Sequence, residues 1–432
     1  MRMPSRYSWI GLALALLVAS SCKSSGVSPG SGAASMSTGA SPVVVYANAG
    51  KVVRVYDFDT KTGALEVKQT LPELKSYVQY MAVAPSRKYL YVSCSEAPPP
   101  KDRPPINAIY AFSIDGHTGA LTQVGEPYTP PSRAINLSVD NTGSYLFMAH
   151  NMIENVSVIR LNADGSLGEP VKQPDEKEKL GFLVHQIRID PSNKWVFVQV
   201  RGEDAKEKTE TKKAEPEKSG HINVFAFNDG VLTKHKVVDY PTLLGPRHID
   251  FHPSKPWIYV SAERGNRIVT YKHENGELTE LFSSTTLQDP SFKYGAQRAG
   301  PIHVHPNGKW VYIANRNVAP NQPVGPPADK PVASGENDVA VFSIDGATGE
   351  PKLVQNIDTH GYEARTMTID PTGHFLVVAN QKEVPKKDGD KIVKVEPNLS
   401  VFRIGDDGKL TYVHTYDQAG GEIWWVGAVA LP

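Results

Sequence analysis

Residues 245–278 read GPRHIDFHPSKPWIYVSAERGNRIVTYKHENGEL. Behind the pair Arg247-His248, the segment Ile249-Asp250-Phe251 alternates apolar and polar side chains. His252-Pro253-Ser254-Lys255-Pro256 makes a turn, and Trp257-Ile258-Tyr259-Val260 is a second strand rich in β-formers. Glu263 to Asn266 is a polar loop, Ile268-Val269-Thr270-Tyr271 a third strand, and Asn275-Gly276 turns the chain before Leu278. The unit is a meander of short strands, with no sustained 3.6-residue periodicity to mark a helix.

The same unit recurs. A turn leading into an aromatic-rich strand appears at Pro85, Asn141, Pro191, Pro253, Pro306 and Pro371. A second signature, a V-x-V-F-like strand followed by an Asp/Gly turn and a leucine, ends at Leu65, Leu121, Leu167, Leu232, Leu278, Leu353 and Leu410, about every 57 residues. Units of that length with three or four short strands each predict a β-propeller, because one such sheet cannot bury both faces alone. The first signature has six copies and the second seven. The mismatch is resolved at the termini if Val43-Val44-Val45-Tyr46 and Trp424-Trp425-Val426 share a blade. The expectation is an all-β, seven-bladed β-propeller over residues 42–432, closed by pairing of N- and C-terminal strands, which removes exposed sheet edges.

Lys+Arg and Asp+Glu each number 46, so no excess positive charge answers a phosphate backbone and nucleic acid is not an expected partner. Residues 1–22 read as a leader: Arg2 and Arg6 precede an apolar stretch, Ile10 to Val18, too short to span a bilayer. Ala19-Ser20-Ser21-Cys22 resembles a bacterial lipoprotein cleavage site, which makes Cys22 a lipidation site and membrane anchor; a plain secretory signal is the alternative. Lys23 follows, with no Asp to favour the inner membrane, so the expectation in a Gram-negative cell is an exported, outer-membrane lipoprotein. Residues 23–41 form a Ser/Gly/Ala tether. Its Gly26-Val27-Ser28-Pro29-Gly30 matches a hydrolase elbow formally but lacks the flanking strand and helix that motif needs. With Cys22 lipidated, Cys94 has no disulfide partner. Four long irregular segments (Glu96–Pro105, Gly202–Gly220, Asn317–Asn337 and Lys382–Pro397) all fall between the second and third strands of a blade, on the rim that carries Arg247. Their compositions look mobile, and Gly202–Gly220, nearly all Lys, Glu, Thr and Ala, reads as a helical or disordered flap.

Aligned on the turn, the inner strands place Gln79, Ile135, His185, Arg247, Gly300 and Arg365 at one rank, six residues before it. Tyr80, Asn136, Gln186, His248, Pro301 and Thr366 follow one residue deeper, and His303 lies two residues below Pro301. His185, Arg247 and Arg365 are expected to converge on the mouth of the central channel. Arginine suits bidentate capture of a carboxylate or phosphate, and histidine suits acid–base work near neutral pH. Polar residues also line wet propeller channels with no chemistry attached. His305 and His252 sit beside the turn prolines where other blades have Asp190 and Asp370, so His303-Val304-His305 is read as a turn element and not a metal site. No phosphate loop, dinucleotide fingerprint or zinc-type Cys spacing is present, and no cofactor is expected.

The segment Gly245–Pro253 with Tyr259–Glu263 resembles the core signature of the lactonase family of seven-bladed propellers, which includes 6-phosphogluconolactonases and fungal muconate lactonising enzymes. Ile302–Gly308 with Asn315-Arg316, and Ala364-Arg365 with Ile369–Gly373 and Ala379–Gln381, resemble it too. The resemblance implies a site at His185, Arg247, His248, Glu263 and His303, with Arg316 and Arg365 on the substrate. Blade two adds Arg133 and Asn136 as substrate-binding candidates. It implies arginines that hold an anionic tail and polarise a lactone carbonyl, with a histidine or Glu263 activating water. Pro301 departs from the acid the family carries before its blade-five Ile-His. Two readings follow: an exported lactonase acting on a sugar-type, 6-phosphogluconolactone-like lactone or other small anion, or a non-catalytic cell-envelope propeller that keeps the fold.

Overall fold

Strands rich in Val, Ile, Tyr and Phe, each cut short by a turn, leave the chain no option but to pair neighbouring segments. The computed structural model describes residues 41–432 apart from 97, 176, 207–212, 242, 292–295, 319–334 and 389–390. The leader, Cys22 and the tether up to residue 40 lie outside the described residues, as do parts of all four long insertions. Every regular element described is a strand. Seven antiparallel sheets of four strands form, each in sequence order apart from the closing one. The opening stretch is one of them, with strands Pro246–Phe251, Trp257–Ala262, Arg267–Glu274 and Glu277–Thr285. In the closing blade the last strand, Val426–Ala430, pairs with the first, Val43–Ala49, with Val43 opposite Ala430. Trp424 and Trp425 stand just ahead of that strand, their backbone N–H groups donating to Asn48 Oδ1 at 2.9 and 3.0 Å.

The core divides into seven clusters, one per pair of neighbouring blades, and that number closes the ring. Alternation assigns the faces: Leu90 packs with Val44 and Tyr46 of the closing blade, while Tyr91 on the opposite face packs with Leu137 and Leu146 of blade two. Trp257 and Tyr259 of blade four likewise face Ile302 and Val311 of blade five. The aromatic position of the repeat carries a second contact. Tyr46, Tyr91, Tyr259 and Tyr312 donate their hydroxyls to Gly119, Gly165, Gly349 and Gly408 carbonyls at 2.8, 3.1, 3.0 and 2.9 Å. Each of these glycines sits in the outer-strand turn of the next blade with φ between +71° and +81°, a conformation open to glycine. The Asp/Gly turn and the aromatic strand are therefore two halves of one inter-blade joint.

The turn aspartates cap their own turns: Asp190 Oδ1 accepts from the Lys194 and Trp195 amides at 3.0 and 2.9 Å. His252 Nδ1 does the same for Ser254 and Lys255 at 3.1 and 3.0 Å, so it is a turn residue, and His305 follows suit with Asn307 at 3.1 Å. All four insertions lie between second and third strands. Two depart from the expectation of irregular or helical chain. The described parts of Gly202–Gly220 are extended and paired, Glu203 with Lys218 and Lys206 with Glu215. Lys382–Pro397 holds a hairpin, Val384–Asp388 with Lys391–Val395. The charged composition hid this because a short ribbon needs no apolar face when its Lys and Glu pair across it, as Lys206 does with Glu215 at 3.2 Å.

Candidate active site

Inner strands alternate, so two consecutive residues cannot both face the channel unless the strand is interrupted. It is interrupted at the same rank in every blade that shares the turn signature. The register slips at Gln79, Ile135, His185, Arg247 and Arg365, and between Ala299 and Ile302 in blade five. These are β-bulges, which re-aim side chains. The bulge brings the Arg247 rank and the His248 rank into the same central space. Pro301 falls within the blade-five slip, where a missing backbone N–H is tolerated.

The first rank borders a narrow cationic chamber with a buried centre. Arg247 and Arg316 are each 1% exposed. Glu263 holds them together: Arg316 Nη2 donates to its Oε1 at 2.5 Å, while Arg201 Nη1 and Arg247 Nε approach Oε2 at 3.4 and 3.8 Å. Burial opposes the charge on Glu263, but Arg201, Arg316, Arg247 and Arg365 together hold its carboxyl well below the usual range. A carboxylate held this way is a poor proton acceptor. Arg365 and Arg133 both lie against the Trp424 ring, at 4.5 and 5.4 Å from its centroid. Burial pulls both down to about 10, which still leaves them cationic at neutral pH. The guanidinium groups outnumber the carboxylates at this spot, and Arg247 Nε, Arg316 Nε, Arg133 Nε and His185 Nδ1 are buried without a hydrogen-bond partner. Such a concentration of unanswered donors is an anion-binding environment. The enclosed space beside His185, Arg247, Arg365 and Trp424 is only about 10 Å³. That is room for one water or one oxygen atom.

The second rank faces a much larger cavity of about 560 Å³, which runs down the channel from Tyr80, Gln186 and His248 to the turns at Pro191 and Pro253. His248, Tyr80 and Thr366 line both spaces. The rings of His248 and His185 lie 5.1 Å apart, edge to face. Burial first, and the Arg247 guanidinium second, push both imidazoles well below their usual pKa, so both are neutral near pH 7. Arg247 Nη1 lies 3.2 Å from His248 Nδ1. A guanidinium only donates, so Nδ1 is the lone-pair nitrogen and Nε2 carries the proton. His248 is thereby set up as a hydrogen-bond donor. Deeper in the channel His303 is 35% exposed, with Nδ1 3.5 Å from Asp250 Oδ2.

Several polar residues of these ranks also tie blade to blade. Asn136 Oδ1 accepts from the Ile187 amide at 3.2 Å, Gln186 Oε1 from Ile249 at 2.7 Å, Asp250 Oδ2 from Val304 at 2.8 Å and Thr366 Oγ1 from Val426 at 3.1 Å. Asn136 is thus committed to a structural clasp between blades. The structure brings His185, Arg247, His248, Glu263, Arg316 and Arg365 into one cluster, adds Arg133 through Trp424, and sets His303 below them. Of the rank expected at the channel mouth, Arg247 is buried while His185 and Arg365 keep partial exposure, and the larger cavity lies on the deeper side. Beside them Arg264 binds Asp204 and Glu217 of the blade-three insertion at 3.0 and 3.1 Å, and Arg298 binds Asp204 at 2.9 Å. Trp424, Arg201, Arg188 and Asp250 escaped the sequence reading. The recurring rank three before the turn, where Arg188, Asp250 and His303 align, was the signal available for the last two. Among the described residues no cluster of metal-ligating side chains occurs.

Comparison with known proteins places this arrangement. The model of the family described as "Lactonase, 7-bladed beta-propeller" matches residues 40–385. The chain is similar to a 6-phosphogluconolactonase of Formosa agariphila, 26% identical over 345 residues that cover 77% of this chain and 86% of that one. It is also similar to a 6-phosphogluconolactonase of Pectobacterium carotovorum, 28% identical over 375 residues, covering 85% and 93%. Among solved structures, the periplasmic gluconolactonase PpgL of Pseudomonas aeruginosa superposes with a TM-score of 0.69 at 22% identity, covering 91% of this chain and all of the other. With its ring of seven blades and a family match over most of its length, the chain belongs to the lactonase family of seven-bladed β-propellers.

Proposed function

We propose that the protein is an exported lactonase that hydrolyses a sugar-type lactone, of the 6-phosphogluconolactone kind or its unphosphorylated counterpart, inside the propeller channel. The observation that carries this reading is the pairing of two spaces of very different size: a cavity of about 560 Å³, ample for a sugar ring, shares Tyr80, His248 and Thr366 with a cationic chamber of about 10 Å³, ample for one oxygen. Only the reacting oxygen can approach the chamber. In this reading the ring lies in the channel and its carbonyl oxygen points at the His248 Nε2–H and the Arg247 and Arg365 guanidiniums. Those donors gain most where negative charge develops, on the tetrahedral intermediate. Glu263 keeps the arginines in place. Water is activated from the channel side by a histidine. Export and a lipid anchor at Cys22 rest on the Arg2/Arg6 leader, the short apolar stretch and the small residues before that cysteine.

A panel of lactones, phosphorylated and unphosphorylated, followed by acid release tests the reading. Turnover of at least one sugar lactone above the buffer rate is the expected result. No turnover on any of them would replace it with the binding-scaffold reading.

A further inference from the structure

We infer that His303 is the general base of the reaction and that Asp250, held by Arg188, is its positioning residue. The inference rests on the lactonase reading and deepens it by choosing among three histidines. His248 is excluded as the base by its tautomer, since its lone-pair nitrogen takes the Arg247 guanidinium at 3.2 Å and its other nitrogen bears the proton. His185 is partly buried and lines the small chamber but not the large cavity, with its Nδ1 buried and its ring crowded by arginines that oppose any gain of charge. His303 alone of the three combines exposure to the large cavity with a carboxylate at its back, Asp250 Oδ2 at 3.5 Å from Nδ1.

Asp250 is itself fixed from several sides. Arg188 Nη2 binds Oδ1 at 2.7 Å, the Phe251 amide donates to Oδ1 at 2.9 Å, and the Val304 amide donates to Oδ2 at 2.8 Å. Arg188 is in turn anchored by donating to the Ile249 carbonyl at 2.9 Å and lies over the Phe251 ring. Three adjacent blades therefore contribute one residue each, all three positions before the turn, to a line that ends at an imidazole in the channel. A carboxylate at Nδ1 favours the Nδ1–H tautomer, which leaves the Nε2 lone pair for the channel, and steadies the imidazolium that forms. The gap of 3.5 Å is of the kind that tightens when substrate binds.

The step balances without a further reactant. His303 Nε2 takes a proton from water as the water oxygen bonds to the lactone carbonyl carbon. The carbon–ring oxygen bond breaks as the intermediate collapses, and the leaving ring oxygen receives the proton from Nε2. The product is a hydroxy acid, which releases its carboxyl proton to solvent.

The test uses the full folded chain and a lactone that it turns over. His303→Gln and Asp250→Asn are each expected to lower kcat by about 10²-fold with little change in KM, the pattern of a group that acts only in the transition state. Asp250→Asn added to His303→Gln is expected to cost nothing further in kcat, which a merely structural loss at Asp250 would not reproduce. Nitrogen NMR of histidine-labelled protein is expected to show His303 in the Nδ1–H form, with that preference lost in Asp250→Asn. Wild-type kcat in His303→Gln, or losses from the two substitutions that multiply, would overturn the inference while leaving the lactonase reading intact. Absence of turnover by the unaltered protein on every lactone would remove the reaction, and the base with it.

Discussion

At the scale of the residue, the site is a balance of charge. Glu263 is the carboxylate against which Arg201, Arg247 and Arg316 are packed, and among the described residues no other carboxylate lies within ion-pair distance of them. Glu263→Gln keeps the shape and removes the charge. We expect it to destabilise the fold at neutral pH by about 3–5 kcal/mol, the usual cost of leaving buried charges without their partner. The pH dependence has a definite sign. The folded-state pKa lies below the ordinary 4.5, so the unfolded chain binds the proton first as acid is added. The stabilisation is complete above about pH 4.5 and is lost as pH falls below it. Urea unfolding at pH 7 and pH 4 checks this: the gap between wild type and Glu263→Gln should be wide at the first and begin to narrow at the second. Arg247, His248, Glu263 and Arg365 were legible in the sequence through a shared rank and a family signature. Asp250 and Trp424 were not. Asp250 sits at an ordinary alternating position, and its meaning depends on His303 in the next blade. Trp424 looked like part of the closing strand, although it stands ahead of it and reaches Arg133 and Arg365.

At the scale of the element, the repeat is a joint as much as a strand. The Tyr259 hydroxyl donates to the Gly349 carbonyl of the next blade at 3.0 Å, and its ring stays in the core. Tyr259→Phe keeps the packing and strands one buried carbonyl. A loss of about 1–2 kcal/mol is expected in chemical denaturation, with no change in lactone turnover. The aromatic positions and Asp/Gly turns were readable because each has a local reason: a β-forming side chain, or a backbone that needs positive φ. The bulges were not readable. A bulge is a fact about pairing between two strands, and neither strand shows it alone. Yet it is the bulge that lets neighbouring ranks such as Arg247 and His248 serve the same space. The paired ribbon within Gly202–Gly220 escaped for a related reason, since its pairing is electrostatic and carries no apolar period.

At the scale of the molecule, the spacing of the repeats marked a propeller, the seven copies of one signature gave the number of blades, and the unequal counts of the two signatures located the closure. The seven core clusters and the pairing of Val43–Ala49 with Val426–Ala430 follow that plan. What the plan did not reveal was which part of the channel is open. That depends on contacts between distant parts of the chain: Trp424 from the C-terminal end against arginines of blades two and six, and the blade-three insertion against Arg264 and Arg298. The result is a channel with a narrow cationic end, and the account of function stands on that end. The measurement that tests it most directly is proton release during sugar-lactone hydrolysis by the wild-type protein and by Arg247→Ala/Arg365→Ala. The account predicts a fall in kcat/KM of at least about 10²-fold in the double variant. Equal rates in a double variant that remains folded would contradict it.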